Sequence, residues 1–522
     1  MKPIIVGAVV GTALVTGGAY LYFSNEFDQG IRNSIEQFNA DDANNFKVEY
    51  RNLETSLLSG TVSATNVLVT NKINSGDAVS IGSVSTNIDA WAGFEGLTID
   101  SGNLTDVRLN TNDVKFSLES MAVSGLRIAD VANQFQNEEF TGIPLTSLGF
   151  TGLKTTVNAP NSNEINVQSM LLKVSEGGIR LDEFHYKGFE VKLPTEQVDF
   201  ALDNIEIIGG DLTGIRDIIW MARAYSSSEP IEENWAKETT RKLAVQSLNY
   251  MGLDKFELNG LRMSAPNGMA MSISDIYVKD LVRQNGMVVG LTAGITDFSI
   301  PNLQSISPEA SQMLALADYN NFNMSMHAEN RFDDAAGELS SDGVVTIDNL
   351  VELTSDSKLS GVDTAKMYSS FLPLQEKQFE QMFADMRTPG TETAGSGANG
   401  ALDNLVEVLK AAYVGYYSDI EASITLNDLG LNTKGLAVYS AMTGQTTDQL
   451  RPQIEAMAVG SLTPVFGTSK PSNMDRAIRS YLAAESVPFR LAFKAKQSFT
   501  ADSFDNITIQ NWHELFDIEV TQ

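Results

Sequence analysis

Side chains able to do chemistry are scarce in this sequence, and their types narrow what it can do. The 522 residues include no cysteine and three histidines. Disulfides, thiolate nucleophiles, iron–sulfur clusters and Cys-ligated zinc are therefore excluded, and three scattered histidines leave little for a His-based metal site or a serine triad. His513-Glu514 is the kind of neighbouring pair that surfaces carry. Glu338, Ser340, Asp342 and Gly343 touch the calcium-loop pattern, but its twelfth position would be Asn349 where a bidentate Glu is needed. Gly395-Ser396-Gly397-Ala398-Asn399-Gly400 has the GxGxxG spacing, yet a flexible run precedes it instead of a strand, so the context that seats a pyrophosphate is missing. No P-loop, GxSxG elbow or HExxH occurs. Carboxylate pairs for acid–base work stay open, since 66 acidic residues guarantee neighbours in space. The inventory yields no catalytic residue, metal ligand or cofactor, and the expectation is a non-enzymatic protein.

Charge and hydropathy say more. Sixty-six acidic against 36 basic residues give a formal charge of −30, which argues against nucleic acid and against electrostatic docking on anionic lipid. At 43% hydrophobic the chain can bury a sizeable core. Pro3 to Phe23 is an uncharged run of 21 residues, enough at 1.5 Å per residue to cross ~30 Å of hydrocarbon. Its apolar body is Ile4, Ile5, Val6, Val9, Val10, Leu14, Val15 and Leu21, with Tyr20, Tyr22 and Phe23 where an interfacial belt would sit. Gly7 and Gly11 form a GxxxG step able to bring two such anchors together. Lys2 precedes the run, and Glu26 and Asp28 follow it, so the positive-inside rule puts the N-terminus in the cytoplasm and the bulk outside. A cleaved signal peptide ending at the small residues Gly17-Gly18-Ala19 is the competing reading.

Next come the elements. Phe27, Ile31, Ile35 and Phe38 have helical spacing among charged neighbours. From Val48 onward the period changes to alternation, with glycines where strands turn. Leu181-Asp182-Glu183-Phe184 through Pro194 reads against Leu253-Asp254-Lys255-Phe256 through Pro266, with Gly188 matching Gly260, and weaker copies centre on Gly125 and Gly152. Helices are expected over Leu212–Tyr225, Ile231–Tyr250, Pro308–Asp318, Thr364–Met386, Ala401–Tyr417, Thr446–Thr463 and Asn473–Val487, a hairpin over Ile420–Ala437, and strands at Phe489–Lys494 and Phe516–Val520. The resulting fold class is α+β: an N-terminal transmembrane helix, a β-rich repetitive meander with a curved sheet and helical insertions, and a C-terminal mixed α/β module. The expected divisions are anchor 1–25, amphipathic helix and connector 26–45, first β-repeat region 46–210, helical insertion 211–252, second β-repeat region 253–362, Met/aromatic-rich helix 363–387, linker 388–400 and C-terminal module 401–522.

This order of elements resembles the YdgA family of Gram-negative envelope proteins. The likeness rests on the anchor, the short charged helix, Val48-Glu49-Tyr50-Arg51-Asn52-Leu53 with Ser56-Leu57-Leu58-Ser59-Gly60, and the Gly-punctuated β units to about residue 300. More distantly, an anchor feeding a repetitive β body is similar to the AsmA-like proteins. The resemblance implies a single-pass inner-membrane protein with a periplasmic β structure, in a group linked to moving or regulating envelope lipids, and it offers no catalytic residue to carry over. The expected partners are the membrane, a phospholipid ligand, or another protein of the envelope, a second copy included. Val62, Val67, Val69, Val79, Ile81 and Val84 are the early candidates for an apolar face that lipid would use. A scaffold role without any lipid is the alternative.

Overall fold

A computed structural model describes residues 27–41, 45–56, 59–73, 78–89, 98–111, 113–127, 130–131, 142–157, 162–226, 232–303, 315–387, 416–466, 473–483, 487–496 and 516–521. The expected anchor, the 388–400 linker with its GxGxxG match, and residues 401–415 of the expected helix lie outside the described residues, as do His513 and Glu514. Among the described residues no helix is long and apolar enough to cross a membrane.

The body is a long antiparallel meander in which, from β3 on, strands pair with their sequence neighbours, and it divides into two compact units. Unit 1 spans residues up to Thr213 together with Leu258–Pro266, and unit 2 takes Gly214–Glu257 and Asn267–Gln522. In unit 1, helix α1 (Phe27–Ala40) precedes the short strands β1 (Phe46–Glu49) and β2 (Asn52–Ser56). Both pair with the long β3 (Thr61–Asn71), β2 along its first half and β1 along its second. The chain then runs through β4 (Ala78–Asp89), β5 (Thr98–Asn110), β6 (Val114–Arg127), β7 (Ser147–Val157), β8 (Asn163–Ser175), β9 (Arg180–Leu193) and β10 (Val198–Gly209). Part of β11 (Leu253–Ala265) also belongs here.

Helix α1 forms because apolar residues recur every three to four positions, and it buries that stripe. Ile31 and Ile35 are 1% and 5% exposed and pack against Val48, Leu53, Val62, Val67 and Val69. The helix also protects the edge of the sheet. The Asn39 amide donates to the Val48 carbonyl at 2.7 Å and accepts from the Val48 N–H at 2.7 Å, which satisfies both backbone groups of an edge residue.

Unit 2 holds helices α2 (Leu212–Ser226, from residue 214 on) and α3 (Glu233–Leu248), which are the expected helical insertion. Its meander runs β12 (Met269–Gln284), β13 (Met287–Ile300), β14 (Phe322–Asp333), β15 (Glu338–Ile347) and β16 (Val351–Ser360). The Met-rich helix α4 (Thr364–Arg387) follows. Met367 sits in a core with Met287 and Val289 of β13, while Phe383 joins Met221 and Leu243 between helices. So this helix covers the sheet at one end and packs on α2 and α3 at the other. The strands β17 (Asp419–Asp428), β18 (Phe489–Ala495) and β19 (Phe516–Thr521) continue the same ladder from β16. Helices α5 (Leu431–Thr443), α6 (Thr447–Phe466) and α7 (Met474–Ala483) are inserted between β17 and β18.

One expectation is overturned here. Residues 420–437 are not a hairpin: the strand ends at Asp428 and a helix begins at Leu431. Asp428 Oδ1 accepts from the N–H groups of Gly430 (2.9 Å) and Asn432 (3.2 Å), and an acceptor that satisfies free N–H groups favours a helix start over a strand return.

Candidate functional site

Across β3 to β10 the inward residues are apolar and in register. Their spacing is not plain alternation. In β3 the buried positions are Val62, Ala64, Val67 and Val69, so the inward phase slips by one residue at Asn66. The same spacing recurs at Phe116, Leu118, Met121 and Val123 in β6, and at Phe184, Tyr186, Phe189 and Val191 in β9. The ladder places these side by side: Val67 faces Ile81, Ile81 faces Val107 and Val107 faces Leu118. Further along, Met121 faces Phe150, Phe150 faces Met170, Met170 faces Tyr186 and Tyr186 faces Ile205.

On alternate strands, β3, β5, β7, β9 and β11, the slip has a backbone cause. Asn66 in β3, Asp106 in β5, Gly152 in β7, Gly188 in β9 and Gly260 in β11 all have positive φ, between 50° and 67°. Flanking pairs such as Thr65–Ser83 and Val67–Ile81 leave one residue on each strand, so no extra residue is inserted and this is not an ordinary bulge. The register sets these residues in one transverse row, alternating with Gly82, Glu119, Gln168 and Asp203 on the strands between. A left-handed residue turns the chain half a period, so positions two before and one after it share a face. Asn and Asp tolerate this conformation, and glycine takes it without cost. At Gly188 a Cβ would lie 2.7 Å from Gln168 Cβ, and at Gly260 2.8 Å from Asp203 Cβ, so neither site has room for a side chain. The matched glycines of the sequence repeat therefore occupy equivalent places. Gly125, also at positive φ (59°), stands off the row near the end of β6.

The outer face is polar. Ser83 and Thr105 share a 2.7 Å hydrogen bond, as do Ser120 and Thr151, and Lys173, Glu183, His185 and Glu206 form a charged group across β8 to β10. The hydrogen bond from Lys173 holds the Glu183 carboxyl below its ordinary range, and the one from Arg262 does the same for Asp203. On the inner face Phe184, Tyr186, Phe189 and Phe200 pack with ring centroids 5.6–6.3 Å apart, Phe184 and Tyr186 stacked and Phe189 edge-on to Phe200. Desolvation there pushes the Tyr186 phenol above its ordinary value.

Coverage of the inner face changes along the unit. Val62, Val67, Val69, Val79, Ile81 and Val84 are brought together, and all are at most 8% exposed in the core that α1 closes. Ile99 and Leu109 of β5 still belong to that core; from β6 on the same face is mostly half-buried, and Ile165 in β8 is 37% exposed. Among the described residues, α1 makes its main sheet contacts with β1 and β2. The aromatic group on β9 and β10 was not singled out from sequence, although Phe184, Tyr186 and Phe189 carry the slipped spacing openly. Among the described residues no cluster of His, Asp and Glu could hold a metal ion. The chemistry of this face is that of an apolar surface: it can take hydrocarbon and exclude water. No protein-family model matches the chain, and no curated protein matches it.

Proposed function

We propose that the protein is a non-enzymatic, inner-membrane-anchored envelope protein that holds or guides phospholipid, with acyl chains lying on the inner face of β6 to β10. The observation that supports this reading is the continuous apolar face whose first strands are closed by α1 and whose later strands carry half-buried Leu, Ile, Phe and Met. Apolar surface of that extent is unfavourable in water at ~25 cal/mol per Å2, and acyl chains would relieve the cost. The polar outer face keeps the unit in solution while the inner face is occupied. The uncharged run at 3–23 supplies the membrane attachment in this reading.

The test is mass spectrometry of lipids that co-purify with the full chain after mild extraction, compared with Ile165→Asp. That residue is exposed enough to accept a charge, and it lies between Thr155 and Val191 on the apolar face. Bound phospholipid should fall severalfold in the variant while far-UV circular dichroism stays unchanged. Wild-type protein free of lipid, or lipid retained by the variant, would leave the scaffold role in its place. Val67→Asp is the wrong probe, because Val67 is 2% exposed beneath α1 and a charge there reports on folding.

A further inference from the structure

Two-electron oxidants find one kind of ready acceptor in this chain. It has no cysteine, so its 18 methionine thioethers are the soft, oxidisable sulfurs present. The fold sorts them by access. Met221 and Met474 are fully buried, and Met287 and Met367 are 5% and 8% exposed in one core of unit 2. Three methionines among the described residues are open: Met442 on α5 at 66% exposure, Met457 on α6 at 59%, and Met326 on β14 at 40%.

Around Met442 and Met457 the local chain leaves the sulfur uncovered. Each is flanked by small side chains, Ala441 and Thr443 for the first and Ala456 and Ala458 for the second. Gly444 lies two residues after Met442 and Gly460 three after Met457, and a Cβ at either glycine would meet nothing within 4 Å beyond the adjoining backbone. A polar oxygen added at either sulfur therefore stays in water. Other side chains hold these helices in place: Leu436 on α5 is 7% exposed, and Leu450 on α6 is fully buried. Met326 differs. The ladder seats it between Ile295 and Val345, so a sulfoxide there would put a polar group into an apolar row of the sheet.

We infer that Met442 and Met457 are sulfoxidation sites, where peroxides are reduced while the fold is retained and Met326 is spared. A sulfur lone pair attacks one peroxide oxygen and the O–O bond breaks. The transferred hydroxyl then gives its proton to the departing hydroxide, leaving sulfoxide and water. Sulfur supplies the two electrons that the peroxide gains. Restoring the thioether takes two electrons and two protons from a separate methionine sulfoxide reductase, since this chain has no thiol of its own. The test treats the full chain, after mild extraction, with limiting hydrogen peroxide and maps the added oxygen by peptide mass spectrometry. Sulfoxide at Met442 and Met457 should form about tenfold or more faster than at Met221 and Met474, with far-UV circular dichroism unchanged. In concentrated urea the four rates should converge, which separates access from intrinsic reactivity. Met442→Leu with Met457→Leu should raise sulfoxide at Met326 about twofold or more at the same dose. Equal rates in the native chain, rates that stay apart in urea, loss of circular dichroism as the first two sites oxidise, or an unchanged Met326 yield in the double-Leu variant would each overturn the inference. All five methionines lie in unit 2, so the presence or loss of lipid on unit 1 has no bearing on these readouts.

Discussion

At the scale of single residues, the backbone at Gly188 is intolerant of an added side chain. Its φ of 62° excludes β-branched residues, and Gln168 fills the space a Cβ would take. Gly188→Val should therefore lower stability by about 2–4 kcal/mol, read as a shift in urea midpoint, and Gly188→Asn should cost less because Asn accepts left-handed backbone. A second residue acts through ionisation. Tyr481 is 9% exposed, its hydroxyl and Asp428 Oδ2 are buried without hydrogen-bond partners among the described residues, and burial, with Asp428 nearby, pushes the phenol up to about 12. Its folded-state value lies above the unfolded value of ~10, so the unfolded chain loses this proton first. Stability should be level below pH ~10 and fall as pH rises from there toward about 12. Tyr481→Phe should remove that fall and be neutral or stabilising by about 1 kcal/mol at neutral pH, because it deletes an unpaired hydroxyl. Urea titrations at neutral and alkaline pH check both halves.

At the scale of elements, α1 is both roof and edge guard. Ile31→Ala should cost about 2–4 kcal/mol through the cavity it leaves, read as a shift in urea midpoint. Asn39→Leu should loosen β1 by leaving the Val48 N–H and carbonyl exposed, which hydrogen exchange at Val48 would report. Much of this level was readable in the amino acids. The stripe Ile31–Ile35 announces α1, the Met-rich run announces α4, and the matched Leu, Gly and Pro positions announce the repeat. The slipped phase was also present, since Val62 and Ala64 against Val67 and Val69 cannot share a face by strict alternation. It escaped notice because a left-handed Asn leaves no mark in hydrophobicity. The start of α5 was missed for a related reason: Gly435 and β-branched Val438 weaken the helical signal, and the decisive partner, Asp428, is a polar residue whose role depends on geometry. Which strands of the apolar face lie beneath a helix was not legible at all, because coverage depends on where α1 ends and how it lies over the sheet.

At the scale of the whole molecule, two properties dominate. The first is charge: at −30 the protein repels its own copies, and near its isoelectric point of about 4.4 it should show a solubility minimum, measurable by light scattering across a pH series. The second is locality, because each strand contacts mainly its sequence neighbours. A lesion such as Gly188→Val should thus raise hydrogen exchange in β8 to β10 while β3 to β5 keep their protection. The transverse row of left-handed residues has a consequence for how such a chain can change length over evolution. Because the row marks every second strand, a duplicated or lost hairpin carries one left-handed residue with its partner strand, and the inward face stays continuous across the join. A single-residue insertion on either side of the row would instead turn two of that strand's four apolar residues outward. Growth by whole hairpins is therefore tolerated where growth by single residues is not, and the row works as a ruler that keeps old and new hairpins in the same frame.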